Sequence, residues 1–284
     1  KEWALPGGMV GFGAKVSAAL IQKFKEEAAS GHHTQEAQAR CDALIDQLFS
    51  QGKEVYKGYV DEPRNTDNAW LETTAYHFHC SDEMARNLSL KGDSTGEHAS
   101  TQPRWIRVDA QLEDKYAALY ASHRDWVDEV KTWMEGHKNA LTQPVLPPSP
   151  SGAPVTPYPR RQALSREQIN WKEPMENYDP PDFTQPEILE NAKGPDPAII
   201  VTNSAAADRR AGDGLHPDEG GSGTERSITQ KALEERQTYE APISFDDSGR
   251  PRNPHGRTGL QGRGALFSWG PNHAVDTIVT RYHP

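Results

Sequence analysis

One stretch, Asn139-Ala-Leu-Thr-Gln-Pro-Val-Leu-Pro-Pro-Ser-Pro-Ser-Gly-Ala-Pro-Val-Thr-Pro-Tyr-Pro159, limits what the chain can become. Proline fixes φ and has no N–H to give, so neither a helix nor a sheet ladder can run through it. Residues 139–159 therefore read as an extended, semi-rigid tether with structure built on either side. Before it, residues 1–138 alternate helical and strand patterns. After it, residues 160–284 are thin in periodic apolar residues and rich in turns. Within that second region, 203–224 offers Asp, Arg, Gly and Ser with few large apolar residues, and reads as a mobile surface loop.

The rest of the composition agrees with a lean core. Of 284 residues 35% are hydrophobic, 22 are proline and 23 glycine, and mean hydropathy is -0.83. The net charge of -10 repels a phosphate backbone and argues against general nucleic-acid binding. A small phosphate ligand stays compatible with a local basic pocket. No run of about 18 apolar residues occurs, so no membrane insertion is expected. Cys41 and Cys80 lie outside any C-x-x-C and read as reduced thiols of a cytosol-type compartment, cytoplasm or mitochondrion.

In the first region, 15–28 places Val16, Leu20, Phe24 and Ala28 on one helical stripe. A second helix is predicted over 35–49, with Ala39, Ala43, Leu44 and Leu48 inward. Residues 56–59, 70–80 and 105–108 read as strands, and 124–134 as a helix. Along 70–80, Tyr76, Phe78 and Cys80 fall on one face and His77 and His79 on the other. Without a third ligand nearby the two histidines do not read as a metal site. Alternation of helix and strand predicts an α/β layered fold.

Trp3-Ala-Leu-Pro-Gly-Gly-Met-Val-Gly-Phe-Gly13 runs straight into the first helix. A glycine-rich turn at a helix N-terminus presents unpaired N–H groups and a positive dipole end to an anion. It serves equally as a tight strand-to-helix turn. Further on, Gly256-Arg-Thr-Gly-Leu-Gln-Gly-Arg-Gly264 lacks the G-K-[ST] of a P-loop. Its glycines permit close backbone approach, and Arg257 and Arg263 add positive charge to an acidic chain.

Several of these runs together resemble one family. Glu2-Trp3-Ala4-Leu5-Pro6-Gly7-Gly8-Met9-Val10 looks like the start of a Nudix box, G-x5-E-x7-R-E-U-x-E-E-x-G-U. Val55-Tyr-Lys-Gly-Tyr-Val-Asp-Glu-Pro-Arg-Asn-Thr-Asp-Asn-Ala-Trp70, Leu119-Tyr-Ala-Ser-His123, Gly249-Arg-Pro-Arg-Asn-Pro-His-Gly-Arg-Thr-Gly-Leu-Gln-Gly-Arg-Gly264 and Trp269-Gly-Pro-Asn-His-Ala-Val-Asp276 narrow it. They are similar to the mitochondrial-type ADP-ribose pyrophosphatases and to the Nudix-like domain of ADP-ribose-gated melastatin TRP channels. The resemblance implies a Nudix-type α/β/α sandwich around a mixed sheet (1–138), the tether, and a smaller irregular α+β cap (160–284). It implies ADP-ribose as partner and, in active members, magnesium that yields AMP and ribose 5-phosphate. It is also compatible with a place in a larger chain or assembly.

The box departs from that pattern. Counted from Gly8, its first glutamate falls at Ala14, its arginine at Gln22 and the next glutamate at Lys23, leaving Glu26 and Glu27. Helical positions 23, 26 and 27 share a face. An ammonium at 23 thus points where a divalent cation would sit, a repulsion of roughly 4 kcal/mol per unit-charge pair at about 4 Å and an effective dielectric near 20. Glu26 and Glu27 are the expected metal and catalytic carboxylates if any remain, and otherwise solvated helix-face charges. The binding motifs are better kept. By resemblance Asp61, Arg64, Asn65, Tyr120, His123, Arg257, Arg263, Asn272, His273, Gly7 and Gly8 belong to the ligand cleft. Tyr120 and His123 also suit simple packing against the sheet.

Motif order differs as well, since the glycine/arginine loop and the G-P-N-H run follow the box here and precede it in the family. A circular permutant, a window across tandem copies, or pieces of a longer protein in this order all fit. In a permutant the two ends come together in space.

Overall fold

The computed structural model describes residues 4–10, 16–28, 34–82, 84, 105–108, 114–119, 122–136, 158–190, 196, 199–201 and 227–281. The tether up to residue 157 and the 203–224 loop lie outside them. In chain order the elements are β1 (Gly7–Val10), α1 (Val16–Ala28), α2 (Gln35–Phe49), β2 (Lys53–Val60), β3 (Ala69–His79), α3 (Asp114–Ala117) and α4 (His123–Gly136). A 3-10 turn (Glu167–Ile169) follows, then β4 (Asp182–Thr184), α5 (Pro186–Glu190), β5 (Ile199–Val201), β6 (Ser227–Thr229) and α6 (Gln230–Glu234). Last come β7 (Ser244–Phe245), β8 (Pro251–Arg252), β9 (Gln261–Gly264) and β10 (Gly270–Thr280). Helices alternate with sheets that include both parallel and antiparallel pairs, so the α/β class holds.

Four strands form the main sheet in the order β1-β10-β3-β2. The first and last strands are antiparallel neighbours, with Gly7 opposite Asp276 and Val10 opposite His273. Lys1 and Tyr282 themselves lie outside the described residues.

Two compact units interleave along the sequence. One comprises Lys1–Gly58, Thr73–Gly152 and His273–Pro284, the other Tyr59–Glu72 and Ala153–Asn272. This differs from a division at the tether into 1–138 and 160–284. Residues 59–72 carry the turn that residues after the tether grip, and the final strand supplies the neighbour that β1 needs.

In the first unit, Leu20 and Phe24 of α1, Cys41, Ile45 and Leu48 of α2, Phe78, Cys80 and Val275 make the core. Thr34 caps α2 by accepting from Ala37 N at 3.2 Å. The inward stripe of α2 is Cys41, Ile45 and Leu48, while Ala39 and Ala43 are exposed. Spacing alone favoured the alanines. The bulkier side chains bury more apolar area, and they set the rotation of the helix. Residues 105–108 form no strand. Trp105 instead packs on the core and takes the Arg281 guanidinium over its ring at 4.6 Å.

The predicted faces of β3 are correct. Tyr76, Phe78 and Cys80 meet the core, whereas His77 and His79 both reach the Thr280 hydroxyl, at 2.7 and 3.2 Å. Burial first, then the neighbouring His79 and Lys53 charges, push the His77 pKa down to about 4. His77 is thus neutral when folded, whereas the unfolded chain takes up its proton near pH 6.5. Its contribution is intact above pH 6.5 and is lost as pH falls from there toward 4, roughly 3 kcal/mol in all. Urea unfolding of His77→Gln should show that loss flattened between pH 7 and 4.5. An unchanged slope would remove His77 as its source.

The second unit has a smaller core of Ile228, Leu233 and Trp269 with Ala232 and Phe245 against it. Its described residues also form three two-stranded ladders, β4 with β9 and β5 with β6 in parallel and β7 with β8 antiparallel.

Candidate functional site

The turn from Asp61 to Asp67 is built from its own polar side chains. Asn65 Nδ2 donates to Val60 O at 2.7 Å and Tyr59 Oη at 3.0 Å, while its Oδ1 accepts from Leu71 N at 2.9 Å. Asn65 thereby ties the end of β2 to the start of β3. Thr66 Oγ1 accepts from Ala69 N and donates to Gly262 O at 2.6 Å. Asp67 accepts from Thr258 N, Thr258 Oγ1 and Tyr178 Oη at 2.6, 2.8 and 2.5 Å. Burial holds its carboxyl above the usual carboxylate range despite these donors.

Arg64 projects from this frame, its side chain 36% exposed. Its Nε donates to both oxygens of Glu62, at 2.8 and 2.9 Å, and Glu62 is buried, its side chain 1% exposed. A buried carboxylate that grips Nε aims the guanidinium in one direction. Asp61 is exposed beside it. Of the predicted ligand residues in this turn, Asp61 and Arg64 reach the surface, whereas Asn65 is consumed by the turn itself.

The glycine/arginine loop packs on the protein's own chain. Its glycines approach the protein's own segment 158–184 and not open cleft. A Cβ would lie 2.3 Å from Ile169 O at Gly256, 2.2 Å from Gln162 O at Gly259 and 2.4 Å from Phe183 O at Gly262. Arg257 donates to the carbonyls of Gln168, Asn170 and Glu173 and lies over the rings of Trp171 and Tyr178. Arg263 is fully buried, donating through Nη1 to Asp196 O and Phe267 O, with its cation against Trp269. Both arginines serve as cross-links between loops. Asn272 pins the turn before β10 through Ser268 N, Ser268 O and Gly270 O.

In the other unit, Gly7 and Gly8 lie in β1 opposite Asp276 and Val275, and a Cβ on Gly7 would meet Val275 O at 2.3 Å. His123 Nδ1 accepts from Leu5 N at 3.0 Å, and its Nε2 faces Asp276 Oδ1 at 3.5 Å. The backbone donor assigns the neutral ring's proton to Nε2. Thr73 Oγ1 donates to Asp276 Oδ2 at 2.8 Å, which fixes that carboxylate. His273 is buried opposite Val10. Tyr120 and Ala14 lie outside the described residues, as do the side chains of Lys23 and Glu27.

On the box helix, Glu26 is exposed and accepts from Gln22 Nε2 at 2.7 Å. Among the described residues no three His, Cys, Asp or Glu side chains converge as a magnesium site requires. Of the two box glutamates, Glu26 alone has a described side chain. No helix among the described residues is long and apolar enough to cross a membrane.

Sequence reading missed Glu62, Arg161 and Tyr178. Arg161 lies two residues past Pro159 and donates to Pro63 O, Asn65 O and Thr258 O. An Arg pair just past a tether was the available signal. It is weak without knowing what it faces.

Comparison with known proteins gives one family and several relatives. Residues 217–270 match the family model described as NUDT9-like, N-terminal domain. The chain is 43% identical over 130 residues to nudix hydrolase 6 of Caenorhabditis elegans, covering 46% of this chain and 44% of that one. It is 46% identical over 133 residues to a transient receptor potential cation channel subfamily M member-like 2 of Nematostella vectensis, 45% of this chain and 8% of the channel. With the mitochondrial ADP-ribose pyrophosphatase of Rattus norvegicus it shares 42% over 140 residues, 48% of this chain and 37% of the enzyme. The matches thus span less than half the length of each of these relatives.

Proposed function

We propose that this chain, a relative of the Nudix ADP-ribose pyrophosphatases and melastatin TRP channels, recognises ADP-ribose while hydrolysing it weakly or not at all. One observation carries the reading. The Asp61–Asp67 turn is fully braced, and it presents Arg64, held at Nε by a buried carboxylate, on a chain of otherwise acidic character. A planar guanidinium fixed in one direction suits a phosphate or ribose oxygen pair, because the ligand need not order it. The box supports the second half of the proposal. Ala14, Gln22 and Lys23 replace two carboxylates and an arginine, and Glu26 is occupied by a neutral amide.

The rival reading is a working magnesium-dependent pyrophosphatase that uses Glu26 and Glu27. The retention of both glutamates and the likeness to the rat enzyme favour it.

Phosphorus NMR of ADP-ribose with stoichiometric protein and magnesium, followed overnight, separates the two. The expected result is pyrophosphate signals that shift or broaden and stay intact. Conversion to AMP and ribose phosphate would establish the enzyme. Sharp, unshifted, persistent signals would leave an interaction module within a larger assembly. In the same assay Arg64→Ala should weaken binding about ten- to a hundredfold, the scale of one or two charge-assisted hydrogen bonds.

A further inference from the structure

We propose that Arg161 is a positioning residue for Arg64, setting the turn that an anionic ligand meets. The inference rests on the reading of Arg64 as an ADP-ribose contact.

The geometry is specific to the peptides around Arg64. Arg161 Nη2 donates to Pro63 O at 2.6 Å and to Asn65 O at 2.8 Å, the carbonyls one residue before and one after. The intervening carbonyl, Arg64 O, accepts from Tyr158 Oη at 3.3 Å. Three successive carbonyls are thus held by two residues of the segment that follows the tether. Each peptide is planar, so holding its carbonyl also fixes its N–H, and φ and ψ at Arg64 follow. The N–H of Arg64 is directed to Glu62 Oε1 at 2.9 Å, and the N–H of Asn65 to Glu62 O at 3.0 Å. Glu62 then takes the Arg64 Nε. Arg161 and Tyr158 hold the carbonyls around Arg64, while the Glu62 carboxylate holds both its N–H and its Nε.

Arginine is required at 161 for a geometric reason. Its second terminal nitrogen, Nη1, reaches Thr258 O at 3.1 Å, so one planar group joins the turn to the glycine/arginine loop. An ammonium is a single point with donors in a cone, and cannot span carbonyls on two loops in fixed directions. The Tyr158 hydroxyl that donates to Arg64 O also accepts from Ala265 N at 2.6 Å, which ties this junction to the end of β9. Burial favours the neutral form of Arg161, yet guanidinium stays charged in proteins, so it adds a positive charge beneath the turn. Prepaid ordering of this kind raises affinity by lowering the entropy a ligand must remove.

The test uses the full chain with Arg161→Lys and Arg161→Ala, each alone and combined with Arg64→Ala. Calorimetry gives the ADP-ribose Kd, hydrogen exchange follows the amides of Arg64 and Asn65, and urea unfolding checks the fold. Arg161→Lys should weaken binding at least about tenfold and speed exchange of those two amides by a similar factor, with the unfolding transition kept. In the Arg64→Ala background the same change should alter Kd less than about twofold, because its effect runs through Arg64. Added guanidinium ion should restore part of the affinity of Arg161→Ala. An equal loss in both backgrounds would make Arg161 merely structural and overturn the inference. So would unchanged Kd and exchange in Arg161→Lys while the unaltered chain binds. Failure of the unaltered chain to bind ADP-ribose would overturn the functional reading and this inference with it.

Discussion

Gly259→Ala should lose about 2–5 kcal/mol of folding stability in urea unfolding, a large share of the roughly 5–15 kcal/mol that holds a domain folded. Two costs add. The backbone sits at φ +77°, which costs an L-residue about 1–2 kcal/mol. The new Cβ would also lie 2.2 Å from Gln162 O and 3.2 Å from Gln162 N. Backbone atoms cannot swing aside as a side-chain tip can, so overpacking adds roughly 1–3 kcal/mol. The main-chain bond from Gln162 N to Gly259 O, 2.9 Å, would be strained by the same displacement. Arg161 is the neighbour of Gln162, so this change should also loosen the Arg64 turn. Gly136→Ala is the control. Nothing lies within 4 Å of its would-be Cβ at the end of α4, so stability should stay the same or rise by a few tenths of a kcal/mol. A Gly259→Ala protein as stable as the control would show that segment 158–184 does not press on the loop.

These glycines show where sequence reading stops. Period and pattern were enough for α1, for the span of α2 though not its inward stripe, and for the two faces of β3, because each depends on neighbours a few residues apart. Leu20 and Phe24 fell inward as spacing required, and His77 and His79 fell together on the opposite face. The glycine/arginine loop looked like a ligand cradle for a sound local reason, since glycine allows approach and arginine brings charge. What approaches it was decided by residues far earlier in the chain, 89 positions for one contact and 67 for another. Arg257 meets Gln168 O and Arg263 meets Asp196 O, and nothing in the loop's own spacing reports those carbonyls. The bonds of Asn65 were hidden in the same way. A polar residue in a polar turn resembles a contact until its three bonds to Val60, Tyr59 and Leu71 are seen. Arg64 differs because its partner, Glu62, lies only two residues away in the run Asp-Glu-Pro-Arg, so the missed contact was a local one.

Repairing the box should produce the largest functional change. The combined replacement Ala14→Glu, Gln22→Arg and Lys23→Glu is expected to raise magnesium-dependent AMP release from ADP-ribose by a hundredfold or more over the parent chain, roughly the scale set by one reversed charge. At position 23 the change removes a cation and adds a carboxylate on the helix face shared by positions 26 and 27. A single unit-charge repulsion of roughly 4 kcal/mol at an effective dielectric near 20 corresponds to about a thousandfold in affinity, and a divalent ion feels more. The arginine at 22 keeps a donor for Glu26, which now accepts from Gln22, so the helix should not be disturbed. Lys23→Glu alone should give part of the gain and Lys23→Gln less, since the first restores a ligand while the second only removes the charge. The order of those three rates is the informative readout. If the triple replacement folds, binds ADP-ribose and still gives no AMP above the parent, the defect lies outside the box, and position 23 is not what silences the chain.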